Sequence, residues 1–157
     1  MNSLSNTVAE GLVHCYRDFA RRVRSLAEKL SEEQLWEKPY PYGNSFGNLT
    51  LHITGNLNYY IGAQIANTEY IRERELEFAG NHTERKEEVL SKLDEAVDIV
   101  TQTLQTQTDQ TWQAEYTAIG VDDVKDRFGI YLRCAVHFHH HIGQMIYLVK
   151  EFSNRQA

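Results

Sequence analysis

The chain has 157 residues, enough for one domain with a sizeable buried core, and we expect a single domain over residues 1–157. Its 16 basic and 22 acidic residues give a formal charge of −6 without any basic tract, which argues against nucleic acid or a membrane surface as a partner. The sequence has no apolar run long enough to span a membrane, no secretory signal and too few cysteines for a disulfide framework. We therefore expect a cytoplasmic protein in which Cys15 and Cys134 are reduced and buried.

The first predicted helix precedes the only two prolines. Apolar side chains recur at three- and four-residue spacing from Val8 to Leu30, a pattern typical of an amphipathic helix. Ser31, followed by acidic residues, predicts a short helical extension. Pro39 and Pro41 then predict a turn between two long helical stretches.

A second helix is predicted over roughly residues 46–67, with Ser45 as its N-cap. His52 falls on the flank of the apolar stripe of this helix. Three polar residues share that flank: Asn48, Asn56 and Tyr59. Such a group is typical of an interior site, but it is equally typical of the edge of a surface helix.

Two further helices follow a charged linker. The stretch TEYIRERELEFAGNH predicts a linker with room for one turn of helix. Thr83 is the expected cap of a third helix, and Asp122 or Asp123 is the expected cap of a fourth that runs to about Phe152. Four amphipathic segments without an alternating strand pattern predict an all-α fold, an up-down four-helix bundle with one longer crossover connection.

Four of the seven histidines crowd into the segment HFHHHIGQ of the fourth helix. We place Phe138 at the centre of the buried stripe and count about 100° per residue. His141 then lies about 60° and His137 about 100° to the same side of the stripe. His139 falls on the opposite side, and His140 points away from the core.

The spacing of His137 and His141 is typical of a metal-binding pair. Two imidazoles at i and i+4 can share one ion, and His52 is the candidate third ligand if the second and fourth helices are neighbours. Three neutral imidazoles leave a coordination position open, which is typical of a catalytic rather than a closed structural site. We expect zinc or nickel, with iron or manganese as alternatives, because imidazole suits several of these metals. The pair alone is a weak signal, since most helical histidines are ordinary core or surface residues.

Two better-known catalytic motifs are absent from the sequence, and a third lacks its usual context. The zinc-protease motif HExxH needs Glu at position 138, where this chain has Phe138. Ferritin-like di-iron bundles need Glu-x-x-His on two helices, and neither His14 nor His52 has a Glu three residues before it. The GxSxG pattern of serine hydrolases occurs once, as GNSFG at residues 43–47, but Ser45 follows a predicted turn rather than a strand and is the expected N-cap of the second helix.

Two stretches carry a resemblance to a known family: SFGNLTLHITGNLNYY and, after RERELEFAGN, HFHHHIGQMIYLVK. Their most specific elements are GNLxLHxxGN in the second helix and HFxxHxGQ in the fourth. Together they resemble the DinB-like superfamily, which includes thiol-dependent S-transferases of the bacillithiol type, in the same order over roughly residues 8–152. The resemblance implies that His52, His137 and His141, which match the motif positions, bind a divalent metal within the bundle.

The resemblance also implies an activity and an assembly. The implied activity is that of a metal-dependent transferase adding a low-molecular-weight thiol to an electrophilic small molecule. The candidate contacts for the cofactor or substrate are Asn56, Tyr59 and Gln144. A homodimer is implied too, and exposed aromatic residues such as Tyr40 and Tyr42 would fit one. Three alternatives stay open: a metal-dependent hydrolase, a non-catalytic metal-binding or stress-related protein, and a helical dimer whose histidine cluster is vestigial.

Overall fold

The computed structural model describes residues 3–155. The elements in chain order are α1 (Leu4–Ala27), α2 (Glu32–Trp36), α3 (Phe46–Leu57), a π-helical segment (Asn58–Ala63), α4 (Arg74–Glu77), α5 (Lys86–Gln105), α6 (Asp109–Trp112) and α7 (Arg127–Arg155). Between residues 3 and 155 there are two isolated β-bridges but no strand, which confirms the all-α prediction. Over the same residues, no helix has the length and apolar character that crossing a membrane requires.

The four long helices α1, α3, α5 and α7 enclose the core. α1 and α3 each pack against both α5 and α7, so that α1 and α3 lie diagonally across the bundle. Tyr16 and Phe138 are completely buried, and the Tyr16 hydroxyl donates a hydrogen bond of 2.7 Å to the carbonyl of Tyr131. Burying an aromatic side chain of this size contributes about 1.5–3 kcal/mol. The α3–α7 contact brings together the two helices that carry the candidate histidine ligands, whereas the up-down order and the crossover stay predictions.

The predicted second helix divides into an α-helix and a π-helical segment. α3 ends at Leu57, and Asn58–Ala63 continues it with wider turns. The Tyr116 hydroxyl donates a hydrogen bond of 2.8 Å to the carbonyl of Tyr60 inside this segment. A hydrophobic period of 3.6 residues does not reveal a single wide turn, because the turn shifts the apolar face by only one residue.

The helix α5 begins later than predicted. It starts at Lys86, and its N-cap is Arg85 rather than Thr83. The Glu88 carboxylate accepts a hydrogen bond of 2.7 Å from the N–H of Arg85. A carboxylate of α2, that of Glu32, accepts another from the N–H of Lys86 at 2.8 Å. These carboxylates satisfy first-turn N–H groups, so the helix starts without a threonine cap.

The helix α7 also begins later than predicted, at Arg127. The Asp126 carboxylate accepts a hydrogen bond of 2.7 Å from the N–H of Gly129, which is the geometry of an N-cap. Asp122 and Asp123, the predicted caps, lie in the connection before the helix. An isolated β-bridge at Asp126 ties the end of that connection to the preceding chain, and this tertiary contact fixes where α7 can start.

Candidate metal centre

Three histidines from two helices bring their Nε2 atoms together at the α3–α7 contact. His52 lies on α3, and His137 and His141 lie on successive turns of α7. The Nε2 atom of His137 lies 3.1 Å from that of His52 and 3.0 Å from that of His141. Two nitrogens bound at about 2.0–2.1 Å to one tetrahedral ion are about 3.3 Å apart, so this spacing fits a shared ion. The structure thus brings together the three ligands predicted from the sequence, as a group that can hold a metal ion.

Hydrogen bonds on the outer side of two rings direct their lone pairs toward the centre. The Nδ1–H of His52 donates to Oε2 of Glu77 at 2.8 Å. The Nδ1–H of His141 donates to Oε1 of Gln144 at 2.7 Å. Both rings then present an unprotonated Nε2 to His137, whose own Nε2 carries at most one proton and can satisfy only one of them. A cation between the three nitrogens therefore suits this arrangement better than hydrogen bonding does.

Burial keeps the two imidazoles of α7 neutral. Burial, together with the smaller effects of the neighbouring His141 and His52, lowers the pKa of His137 to about 3. Burial also lowers the pKa of His141 to about 4, against the opposing effect of its hydrogen bond with Gln144. Both rings are neutral at pH 7, the form in which imidazole offers a lone pair to a metal.

The carboxylate that orients His52 comes from the charged linker and is itself held by an arginine. Arg72 donates from Nε to Oε1 of Glu77 at 2.7 Å and from Nη2 to Oε2 at 2.9 Å. Burial by itself raises the pKa of Glu77, but the hydrogen bonds from His52 and Arg72 outweigh burial and leave the pKa below its ordinary value. Glu77 is therefore an ionised and immobilised partner for the Nδ1–H of His52.

The helix α3 is shaped to accept this carboxylate. A Cβ atom at Gly55 would collide with Oε1 of Glu77, so the close approach requires glycine at this position. The Asn48 side chain donates from Nδ2 to the backbone carbonyl of Glu77 at 3.0 Å. Both α3 residues thus position the linker against the ring of His52.

The sequence did not single out Glu77 or Arg72. Glu77 is one of four glutamates in the stretch TEYIRERELE, and its spacing from His52 follows no helical period. Gly55, a glycine within a predicted helix three residues after His52, was the available signal of a close approach. A glycine at this position does not indicate which side chain packs against it.

A cleft of about 820 Å³ opens beside the three histidines, a volume suited to a small molecule. His52 and His137 are in its lining, together with Asn56 and Tyr59, two of the residues predicted to contact a cofactor or substrate. Gln144, the third, is exposed on α7 and lies behind the ring of a ligand histidine rather than in this lining.

The remaining histidines of the cluster and both cysteines lie outside the group. His140 is exposed, as the angular analysis predicts. His139 is exposed as well, and its ring centroid lies 5.3 Å from that of Phe19. Cys134 is buried, and burial raises its pKa to about 12, which keeps the thiol neutral. Cys15 lies half-buried on α1. Among the described residues that line the cleft there is no cysteine.

Comparison with known proteins gives one family. The model of the DinB superfamily matches residues 15–145, which is well over half of the chain and includes all three histidines of the centre. A search of the curated proteins found no significant match.

Proposed function

The chain belongs to the DinB superfamily, and on this basis we propose that it is a metal-dependent transferase that adds a low-molecular-weight thiol to an electrophilic small molecule. In this proposal His52, His137 and His141 hold one divalent ion, with zinc or nickel preferred over iron or manganese. The observation that carries the proposal is the convergence of three imidazole Nε2 atoms beside an open cleft.

The residues of the site have distinct tasks in this proposal. The three histidines would hold the ion, and the cleft beside them would admit a thiol. A divalent ion lowers the pKa of a thiol that binds to it, and so supplies a nucleophile at neutral pH. Glu77 holds the ring of His52 in place, and Asn56 and Tyr59 contact the substrate.

The proposed reaction needs no oxidant or reductant. The sulfur of the thiol forms a bond to an electrophilic carbon, the bond from that carbon to its leaving group breaks, and the electron pair departs with the leaving group. The thiol proton is released to solvent. The thiol comes from outside the chain, because Cys134 is buried and protonated and no cysteine is among the described residues of the cleft.

The test uses protein made without a histidine tag and loaded with zinc or nickel. Cysteine, glutathione and mercaptosuccinate are each incubated with monochlorobimane, and thiol consumption is followed. We expect acceleration over the uncatalysed rate that is lost in His141→Ala and retained in His140→Ala, because the side chain of His140 is exposed and outside the group. Failure with all three thiols, while a known thiol transferase is active in the same assay, would contradict the proposal. Hydrolysis of esters without any thiol would favour the hydrolase instead.

We also propose that the chain forms a homodimer, as the family resemblance implies. Tyr40 and Tyr42 stack on each other, with Tyr42 exposed to solvent, which provides an aromatic surface for such contacts. Analytical ultracentrifugation of the purified protein at micromolar concentration should give the mass of a dimer. The mass of a monomer would contradict this part of the proposal.

A further inference from the structure

The two most exposed large apolar side chains within residues 3–155 both line the cleft beside the three histidines. Ile71 is 84% exposed and Ile119 is 87% exposed. Ile71 belongs to the charged linker, and Ile119 belongs to the connection before α7. Single exposed aliphatic side chains are common on protein surfaces, whereas two from distant segments at one concave site indicate a place where an apolar group binds.

The turn that carries Ile119 is fixed in position. Ala118 and Val121 form an isolated β-bridge, in which the N–H of Val121 donates to the carbonyl of Ala118 at 3.3 Å. Gly120 between them has a φ of +83°, a conformation that favours glycine. The Tyr60 hydroxyl lies 3.3 Å from the carbonyl oxygen of Ile119 and donates a hydrogen bond to it. Because the backbone is held on both sides, the exposure of Ile119 is a property of the fold.

The linker is fixed next to Ile71 as well. The following residue, Arg72, donates to both oxygens of the buried Glu77 carboxylate, at 2.7 and 2.9 Å. Its guanidinium carbon also lies 5.8 Å from the ring centroid of Tyr60, within the range of a cation–π contact. Tyr60 therefore contacts both segments, the linker through its ring and the turn of Ile119 through its hydroxyl.

The π-helical segment accounts for the position of Tyr60. This tyrosine is the third residue of Asn58–Ala63, and its backbone carbonyl accepts the hydrogen bond from Tyr116. Single π-helical turns occur frequently at functional sites, where they change the direction of side chains. Tyr60 itself is also part of the cleft lining. The wide turn thus has a consequence for the cleft, because it places the one side chain that contacts both of its isoleucine-bearing segments.

From these contacts we propose that Ile71 and Ile119 bind the uncharged apolar part of the acceptor, an aryl or alkyl group, and that Tyr60 is a positioning residue for both. Burial of apolar surface supplies the free energy of this contact. The cleft of about 820 Å³ has room for such a group beside the histidines. The binding step follows from the cleft alone, whereas the role of the bound molecule as a thiol acceptor rests on the proposed function.

Unreactive amides test the binding step by titration calorimetry on the full chain. N-benzylacetamide and acetamide are both uncharged, so the three arginines that also line the cleft form no ion pair with either. We expect N-benzylacetamide to bind at millimolar concentration or below, and acetamide to bind at least about tenfold more weakly. Ile71→Thr and Ile119→Thr should each weaken the binding of N-benzylacetamide by about three- to fivefold. Leu4→Thr is the control, because Leu4 is 78% exposed and lies outside the cleft.

A double variant tests the positioning role of Tyr60. Tyr60→Phe keeps the ring beside Arg72 but removes the hydroxyl that anchors the turn of Ile119. Its affinity for N-benzylacetamide should fall about as far as that of Ile119→Thr, and the double variant Tyr60→Phe/Ile119→Thr should bind no more weakly than either single variant. Tyr147→Phe, at an exposed tyrosine outside the cleft, should bind normally. Additive losses in the double variant would show that Tyr60 does not act through Ile119.

Reactive amides extend the test to thiol transfer. Chloroacetamide and N-benzylchloroacetamide react alike: the thiol sulfur bonds to the CH₂ carbon, chloride leaves with the electron pair, and the thiol proton goes to solvent. After correction for the uncatalysed rates, kcat/KM should be about tenfold higher for the benzyl compound, and Ile119→Thr should lose most of this advantage. Binding of N-benzylacetamide without any transfer would support this inference and contradict the proposed function. Transfer combined with equal binding of the two unreactive amides would do the reverse.

The same variants distinguish a small molecule from a second copy of the chain. If the isoleucines packed on a second copy, Ile71→Thr and Ile119→Thr would shift the sedimentation mass toward the monomer and leave N-benzylacetamide binding unchanged. That result would overturn the inference. So would equal binding of acetamide and N-benzylacetamide, no binding of either, or isoleucine variants that bind N-benzylacetamide as the unaltered protein does.

Discussion

The Nδ1 atom of His52 lies 2.8 Å from Oε2 of Glu77, and this contact joins a buried helix to a charged linker. Arg72 fixes the carboxylate from its other side, so the imidazole is oriented by an immobilised anion. Partners of this kind fix the tautomer of a ligand histidine and increase its basicity. The linker contributes none of the three histidines, but it orients one of these candidate metal ligands.

Replacing Glu77 with glutamine should weaken metal binding. Glu77→Gln keeps the size of the side chain but removes the charge that pairs with Arg72 and holds the ring of His52. We expect a loss of about 10- to 100-fold in zinc affinity, measured by competition with a chromophoric chelator. Glu75→Gln is the control, because Glu75 is exposed on the same short helix. Equal affinities of both variants would show that the carboxylate does not act on the site.

A methyl group at position 55 should have a similar effect through sterics alone. Gly55→Ala places a Cβ where the Glu77 carboxylate lies, so the carboxylate must move away from His52. Zinc affinity should fall by about tenfold. Gly143→Ala is the matched control, because a Cβ at this helical glycine, two residues after His141, meets no atom within 4 Å. That variant should keep its affinity and gain up to about 1 kcal/mol in free energy of unfolding.

The helix that carries two ligands should depend on Asp126 for its start. Asp126→Ala removes the acceptor of the Gly129 N–H and should lower the free energy of unfolding by about 0.5–2 kcal/mol in urea titrations. Asp122→Ala, at one of the caps predicted from sequence, should change it by less than about 0.5 kcal/mol, because Asp122 is exposed before the helix. The opposite ranking would mean that α7 starts where the sequence pattern predicts.

The metal-free protein should lose stability as the pH falls from about 6.5 toward 4. The unfolded chain takes up protons on histidine near pH 6.5, whereas burial holds the pKa of native His137 at about 3 and of His141 at about 4. The unfolded state therefore binds more protons in this window, and the free energy of unfolding falls with pH. Urea titrations of chelator-treated protein measure the slope, which should be shallower in the double variant His137→Gln/His141→Gln. An unchanged slope would mean that these imidazoles do not contribute.

The three candidate metal ligands could be predicted because helical periodicity and a short motif are features of the local sequence. Helical period places His137 and His141 on one face of α7, and the motif around His52 supplies the third imidazole. Arg133 precedes His137 by one helical turn, but helical period does not distinguish a charged residue that lines a site from a solvated side chain at the edge of an apolar stripe.

The rest of the site depends on contacts between distant segments. Glu77 is one of several glutamates in a charged linker, and only the packing of that linker on Gly55 distinguishes it from the others. The first residues of α5 and α7 likewise depend on tertiary contacts, namely the hydrogen bond from Lys86 to Glu32 and the β-bridge at Asp126. Helical periodicity does not predict such contacts. Sequence periodicity therefore predicted the helices and their buried faces, whereas linker packing and helix ends required the structure.

The most direct test of the account is the metal content of protein purified without a histidine tag and exposed to zinc or nickel. Elemental analysis should find about one equivalent in the unaltered protein and in His140→Ala, and almost none in His52→Ala or His141→Ala. Circular dichroism would verify that the variants remain helical. Metal content in His141→Ala equal to that of the unaltered protein, or no metal in any of them, would contradict a centre built from His52, His137 and His141.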